Sequence, residues 1–277
     1  MPTACEDIRH FIIMEKRVMN FKELGIRAVI LDMDGVLWKS NQPLCDLSAL
    51  FKKFNEHDLK FLFATNNAMS TISQYIKKFN SFGVTVKEEQ IFTSGMATGY
   101  LMSKDFPNGG PVHVFGSKAL RDTLLDYHFT NTDTDPIAVV GGLDPDITYE
   151  NLKKASFFIQ SGLPFYFTNT DTTYPTPEGN APGAGTFLAA LETASGVKAK
   201  VAGKPEPYLY EACFQRLGTS PAETLAVGDR YETDILGGFR SGCKTALVLT
   251  GISSREDIDS YNPKPDFVMD DVMHLFD

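Results

Sequence analysis

Ala28-Val29-Ile30-Leu31-Asp32-Met33-Asp34-Gly35-Val36-Leu37-Trp38 is the stretch whose reading decides the fold. Four apolar residues, with β-branched Val29 and Ile30, have the unbroken hydrophobicity of a parallel strand buried on both faces. The run then stops at two carboxylates and a glycine. A parallel strand ending in Asp-x-Asp-Gly carries two negative charges to the carboxyl edge of its sheet, the edge where open α/β sheets bind ligands. Two anions there are costly unless a cation or a proton compensates them. The competing reading is a plain polar turn, since Asp and Gly are common turn residues.

Outward from this strand, helices and strands alternate. Leu47, Leu50, Phe51 and Phe54 recur at helical spacing. Residues 59–64 read as a second buried strand, ending in Thr65-Asn66-Asn67. Ser70 or Thr71 can cap a helix with the stripe Ile72, Tyr75, Ile76 and Phe79, which Gly83 closes. Residues 91–93 form a third strand, followed by a helix over 96–104. Pro107-Asn108-Gly109-Gly110-Pro111 breaks the pattern, and a second α/β unit follows. Its expected strands are 112–115, 137–140 and 165–168, and its helices 117–128, 148–161 and 185–195, with a turn-rich loop over 169–185.

From Val201 the first pattern resumes. Pro205 is expected to open a helix that Gly218 ends, Leu225-Ala226-Val227 forms a strand, and Thr233 caps the next helix. Strands over 245–249 and 266–269 and a helix over 271–276 finish the chain. The expected architecture is α/β: a doubly wound, Rossmann-like parallel sheet with a smaller α/β cap inserted in it. Residues 1–20 are an N-terminal extension, read as a helix packed on the core. Residues 21–93 and 200–277 make the core, and 94–199 the cap.

Composition narrows the chemistry. The 277 residues carry a net charge of −9, which argues against a nucleic-acid surface and requires any site for an anionic substrate to supply its own cations. Cys5, Cys45, Cys213 and Cys243 form no CxxC pair, which suits neither a zinc site nor a disulfide framework and fits a reducing cytoplasm. No apolar run approaches the ~20 residues of a membrane span. The stretch Phe11-Ile12-Ile13-Met14 is too short and too closely bracketed by charge for a signal peptide. His10, His57, His113, His128 and His274 fall away from the strand ends and read as structural.

Four short segments follow or flank buried strands or open helices: Asp32-Met33-Asp34-Gly35, Thr65-Asn66-Asn67, Gly203-Lys204-Pro205 and Gly228-Asp229…Asp234. In a doubly wound sheet such ends converge. Asp32, Asp34 and Asp229 offer the hard oxygens that Mg²⁺ prefers. Lys204 adds a point charge, and Thr65 and Asn66 add neutral donors for phosphate oxygens. Asp234, in a first helical turn, can face the helix dipole and still reach back to the strand end. Each segment alone is most often a turn; the ordered set is not.

That ordered set resembles the haloacid dehalogenase superfamily of phosphatases, and within it the large-cap branch of p-nitrophenyl, phosphoglycolate, pyridoxal phosphate, nucleotide and sugar phosphatases. The resemblance spans about residues 26–272. It includes Thr93-Ser94, Pro182-Gly183-Ala184-Gly185, Glu192-Thr193-Ala194-Ser195-Gly196, Gly203-Lys204-Pro205 and Gly228-Asp229-Arg230-Tyr231-Glu232-Thr233-Asp234-Ile235. It implies that Asp32 is the nucleophile that becomes an aspartyl-phosphate, and that Asp34 is the general acid and then base. The Asp32 side chain, the Asp34 backbone carbonyl and Asp229 would hold Mg²⁺, while Asp234 would support the metal's water shell and orient Lys204. Gly35, Thr65, Asn66 and Asn67 would bind the phosphate, Lys204 would bind it too and neutralise the nucleophile and the transferring group, and Gly35 and Trp38 would belong to a mobile turn.

Asn169, Asp171 and Tyr174 are the cap residues expected at the substrate, with Leu143 on a second loop. The pyridoxal phosphate member carries His at the place of Tyr174 and an aromatic residue at that of Leu143, so that substrate is not expected. The reading is a Mg²⁺-dependent phosphatase for a small phosphorylated metabolite, with homodimerisation through the cap implied by resemblance. A metal-free dehalogenase leaves Asp34 without a task, and a mutase needs a helical cap soon after the first strand. The remaining alternative is a catalytically reduced binding or regulatory protein on the same fold.

Overall fold

In the computed structural model, which describes residues 19–176 and 178–276, strand Ala28–Leu31 lies between Thr224–Gly228 and Lys60–Thr65. The complete sheet runs Phe267–Met269, Lys244–Val248, Thr224–Gly228, Ala28–Leu31, Lys60–Thr65, Ile91–Thr93, and every neighbouring pair is parallel. Successive residues of Ala28–Leu31 alternate between two apolar clusters. Val29 and Leu31 pack with Phe63, Phe54 and Phe79 on one face; Ala28 and Ile30 pack with Leu62, Phe92 and Leu209 on the other. A strand covered on both sides has no polar face to offer, which is why its sequence is continuously apolar.

Register brings the chemistry together. Leu31 stands opposite both Val227 and Phe63, so Asp32, Asp229 and Thr65 emerge at adjacent points of one edge. The helices that return the chain are locally specified. Asp46 caps Leu47–Glu56 by accepting from the Ala49 N–H, and Thr71 and Gln74 form a capping box on Ile72–Ser81. The second sheet is also parallel, in the order Lys200–Val201, Phe165–Phe167, Val139–Gly141, Gly110–Phe115, Phe129–Asn131. The insert therefore takes an edge strand from Lys200–Val201, placed on the core side of the boundary by sequence.

Several local expectations change. The turn-rich loop over 169–185 holds an antiparallel ribbon, Thr173–Thr176 against Gly179–Pro182, in which Tyr174 faces Ala181 across the pair. Pro205 does not open a helix. Its peptide bond with Lys204 is cis, Glu206 N–H turns back to the Gly203 carbonyl at 2.9 Å, and the helix begins at Tyr208. Thr233 is not a cap either. Tyr231–Ile235 wind as a π turn running into helix Leu236–Arg240, and Asp234 takes the capping role by accepting from Arg230 N–H at 3.1 Å. The strand Phe129–Asn131 was not anticipated, and the terminal helix is a short 3₁₀ turn, Val272–Leu275. The expected N-terminal helix lies outside the described residues except for positions 19 and 20, which are not helical; buried Met19, and Phe21 at the start of the core, join the first apolar cluster.

Candidate active site

Lys204 is 2 % exposed, and its ammonium group has three acceptors. It donates to Asp32 Oδ1 at 2.6 Å, to Asp234 Oδ1 at 2.5 Å and to the Ala64 carbonyl at 3.0 Å. An ammonium has three protons, so each has one partner. Gly203 precedes it without a side chain because a Cβ there would come within 2.4 Å of the Thr168 carbonyl oxygen. Asp229 approaches from the neighbouring strand end, its Oδ2 accepting from Ile252 N–H at 2.8 Å. Carboxylate oxygens of Asp32, Asp229 and Asp234 all lie within 4.8 Å of one another.

Three carboxylates against one ammonium leave two negative charges in a buried place. The electrostatics register the imbalance. Burial pushes Asp32 well above the usual carboxylate range, opposed by Lys204 and reinforced by Asp234 and Asp229. Asp229 is pushed up to about 7, by burial first and Asp234 second. A hard divalent cation would neutralise this set with oxygen ligands alone, so the donor chemistry fits Mg²⁺. The Asp34 side chain stands apart from the cluster, so any share it has in holding a cation would fall to its backbone.

Asp34 is held differently. Its Oδ1 accepts from Trp38 Nε1 at 2.8 Å, and the Lys78 ammonium lies 3.7 Å from the same oxygen and 4.3 Å from the Trp38 ring centroid. The Asp34 side chain is 46 % exposed and lines the cavity, whereas that of Asp32, 11 % exposed, lies deeper on its floor. Gly35 was read as a phosphate residue, but its N–H is spent on the Trp38 carbonyl at 2.8 Å. Its structural need is different: φ is +91°, and a Cβ would come within 2.5 Å of the Asp229 carboxylate. Thr65 Oγ1 accepts from Asn67 N–H at 3.1 Å, and both residues line the cavity.

The cavity over these groups is about 400 Å³, between the edge of the large sheet and the 173–182 ribbon. Its floor is Asp32, Thr65, Lys204 and Asp229; Tyr174, Asn180 and Leu143 come from the insert. None of the described histidines lines it. Two segments match models of haloacid dehalogenase-like hydrolases, residues 29–130 and 201–275. A 5'-nucleotidase of Bacillus subtilis is 32 % identical over 244 residues, covering 88 % of this chain and 95 % of its own.

The chain belongs to the haloacid dehalogenase-like phosphatases.

Other relatives agree with this membership. An acid sugar phosphatase of Staphylococcus epidermidis is 30 % identical over 89 % of this chain and 95 % of its own. Among solved structures, the 4-nitrophenylphosphatase of Thermotoga maritima superposes with a TM-score of 0.86 at 32 % identity, covering 91 % of this chain and 97 % of its own. A glycerol phosphate phosphatase of Mycobacterium tuberculosis, solved in complex with magnesium, gives 0.83 at 29 % identity, covering 91 % and 78 %. The structural neighbours carry a cap domain, as the second sheet provides here.

Within this phosphatase the cap residues divide. Tyr174 and Leu143 line the cavity from above. Asn169 is 4 % exposed and committed elsewhere: its amide donates to the Asn66 carbonyl at 2.7 Å and its oxygen accepts from Asp171 N–H at 3.1 Å. Asn66 is likewise occupied. Its side-chain oxygen accepts from Lys204 N–H at 2.8 Å, and its amide donates to the Lys204 carbonyl at 2.9 Å and to Asp171 Oδ1 at 3.2 Å. Asn66 and Asn169 both line the cavity, with their side chains bonded to neighbouring protein groups. Sequence reasoning passed over Arg230, which lines the cavity with its guanidinium 3.6 Å from Asp171, and Lys78 beside Asp34. Arg230 stands inside a motif already singled out; Lys78 carries no signal beyond its place on a helix facing the first strand.

Proposed function

We propose that this phosphatase hydrolyses small phosphomonoesters with Mg²⁺, through an aspartyl-phosphate on Asp32. The observation that carries the reading is the sharing of one buried ammonium between Asp32 and Asp234, beside Asp229. This places Asp32 on the cavity floor against the lysine, with a charge imbalance for a cation to complete, and leaves Asp34 open to the cavity. An oxygen of Asp32 bonds to phosphorus as the ester P–O bond breaks, and Asp34 gives its proton to the departing alkoxide. Water then attacks the phosphorus of the aspartyl-phosphate, Asp34 takes the water's proton, and the acyl phosphate bond opens to regenerate Asp32 and release phosphate. Lys204, Thr65 and Asn67 face the charge that develops on the phosphoryl oxygens; phosphoryl transfer asks mainly for such positioning and charge compensation. Bound at Asp32, Asp229 and the Asp34 backbone, with Asp234 behind, Mg²⁺ would supply electrostatic stabilisation of the phosphoryl group.

The names of the relatives point to sugar phosphates, nucleoside monophosphates, glycerol phosphate and p-nitrophenyl phosphate as substrates to try, with phosphoglycolate beside them. The deciding assay is p-nitrophenol release with and without Mg²⁺. Activity should depend on the metal and fall at least about 10³-fold in Asp32→Asn, which keeps the side-chain shape but cannot attack phosphorus. Metal-independent turnover, or undiminished turnover in the variant, contradicts the reading.

A further inference from the structure

Besides the chain itself, which bonds to the cap through Gly203 N–H and the Thr168 carbonyl at 2.8 Å, Asn66 joins the cap to the catalytic lysine. Its backbone carbonyl accepts from Ser94 Oγ, where the chain enters the insert, and from Asn169 Nδ2, at the foot of the cap ribbon. Its side chain grips the backbone of Lys204, where the chain re-enters the core, on both sides of the residue: N–H to Oδ1 and Nδ2 to carbonyl. The second amide proton goes to Asp171 Oδ1, and Arg230 stands 3.6 Å from that same oxygen. Asn66 is 6 % exposed, so these bonds are not shared with bulk solvent.

We propose that Asn66 and Asp171 are positioning residues that couple the seating of the cap to the placement of the Lys204 ammonium. Asp171 is therefore a link in this chain of bonds, latched to the core by Arg230, and not a ligand for the leaving group. The physical case rests on how little freedom Lys204 has elsewhere. Its ammonium must reach Asp32, Asp234 and the Ala64 carbonyl together, so a small shift of its backbone breaks bonds of 2.5–3.0 Å. A single side-chain amide holds both the N–H and the carbonyl of Lys204, and the amide's other proton is held by a carboxylate on the cap. A cap lifted from the core takes Asp171 with it and removes one of the three contacts that fix the Asn66 side chain. Closure over a substrate restores it. Lys204 is then in place when the cavity is covered, which ties transfer to the absence of bulk water.

The test has an arm that needs no turnover. Amide exchange at Lys204 reports the N–H bond to Asn66 Oδ1, a bond Asp171 does not touch. Asp171→Ala should speed that exchange about tenfold, the value of one lost hydrogen bond of ~1.4 kcal/mol. Asp171→Asn, which keeps an acceptor for Asn66, should retain most of the protection. Unchanged exchange at Lys204 in Asp171→Ala overturns the proposal. If that variant melts globally, with faster exchange in Thr224–Gly228 as well, Arg230→Met answers instead, through an increase of about threefold confined to the residues around Lys204; no increase overturns the proposal.

The kinetic arm rests on the phosphatase reading. Loss of coupling lowers kcat by a similar factor for p-nitrophenyl phosphate and for acetyl phosphate, whose leaving groups differ greatly in size. A KM increase confined to p-nitrophenyl phosphate, with Lys204 protection intact, makes Asp171 a leaving-group ligand and refutes the coupling. In a double-mutant cycle Asp171→Ala adds no more than about threefold to the loss in Asn66→Ala, because both cut one chain of bonds; full additivity overturns the proposal. An inactive wild-type chain would refute the function and leave the exchange arm to decide the coupling.

Discussion

A buried lysine is tolerated here because nothing about its charge is left unmet. Lys204 loses solvation to burial, yet Asp234 and Asp32 hold its proton so firmly that its affinity stays well above that of a free lysine. Removing one partner of such a set is far more costly than never having had it, since the survivor is left charged and dry. His113 in the cap illustrates the opposite case. It is 5 % exposed, with Nδ1 3.1 Å from Asp133 Oδ1, its ring against Phe158, and no partner at Nε2 among the described residues. Burial lowers its proton affinity; Asp133 opposes this, and Lys154, paired with Asp133, adds to the lowering. At this imidazole the unfolded state therefore binds more protons than the folded one below pH 6.5, and the stability the group contributes is lost as pH falls. His113→Phe should flatten the dependence of Tm on pH between about 6.5 and 5. An unaltered slope in the variant contradicts this account.

At the scale of elements, two short pieces do what longer ones could not. The π turn Tyr231–Ile235 admits an extra residue between the Gly228-Asp229 strand end and the following helix. That swings Asp234 back so that it meets both Lys204 and the Arg230 N–H. A regular helix capped by Thr233 is the simpler reading of the sequence. It lost because tertiary bonds to Asp234 outweigh one local cap of about 1 kcal/mol. The ribbon 173–182 brings Tyr174 over the cavity without lengthening the core. Its composition of Thr, Pro, Asn and Gly reads as a loop, because a two-stranded exposed ribbon buries too little to leave an apolar alternation. Truncating Tyr174 to Ala should raise KM for p-nitrophenyl phosphate by about tenfold, for the lost aromatic contact of ~1.4 kcal/mol. The effect on acetyl phosphate should be smaller. Equal effects on both would mean that the ribbon acts on the lysine and not on the leaving group.

For the whole molecule, the two sheets share an interior. One apolar cluster runs from Ala28, Ile30 and Leu62 of the core through Ala97, Leu101 and Met102 of helix Ser94–Asp105 to Val112, Leu120 and Tyr166 of the cap. The cap has a further cluster of its own around Phe115, Phe165 and Phe167. Two units that share a cluster lose stability together. Met102→Ala should therefore lower a single calorimetric transition, by about 2–4 kcal/mol, without splitting it. Two separated transitions would show that the cap melts by itself. The cavity shares the acidic character of the chain, whose net charge is −9: Asp32, Asp34, Asp171, Asp229 and Asp234 line it against Lys39, Lys204 and Arg230, which is why an added cation suits it.

The sequence by itself determined the parallel sheet and the carboxylates at its edge. Ala28–Leu31 and Leu225–Val227 are apolar without interruption, and each is followed within two residues by an aspartate, so local order alone delivers Asp32 and Asp229 to the same rim. Tertiary structure alone decided which partners the other polar residues take. Asn66 and Gly35 look like phosphate residues, and Asn169 and Asp171 like substrate residues, because short polar groups beside a nucleophile usually face the ligand. The partners of the Asn66 side chain lie far along the chain: Lys204 is 138 residues away and Asp171 is 105. A hydrogen bond is settled by a few tenths of an ångström and by which competing donor arrives first, and no local pattern of residues records that.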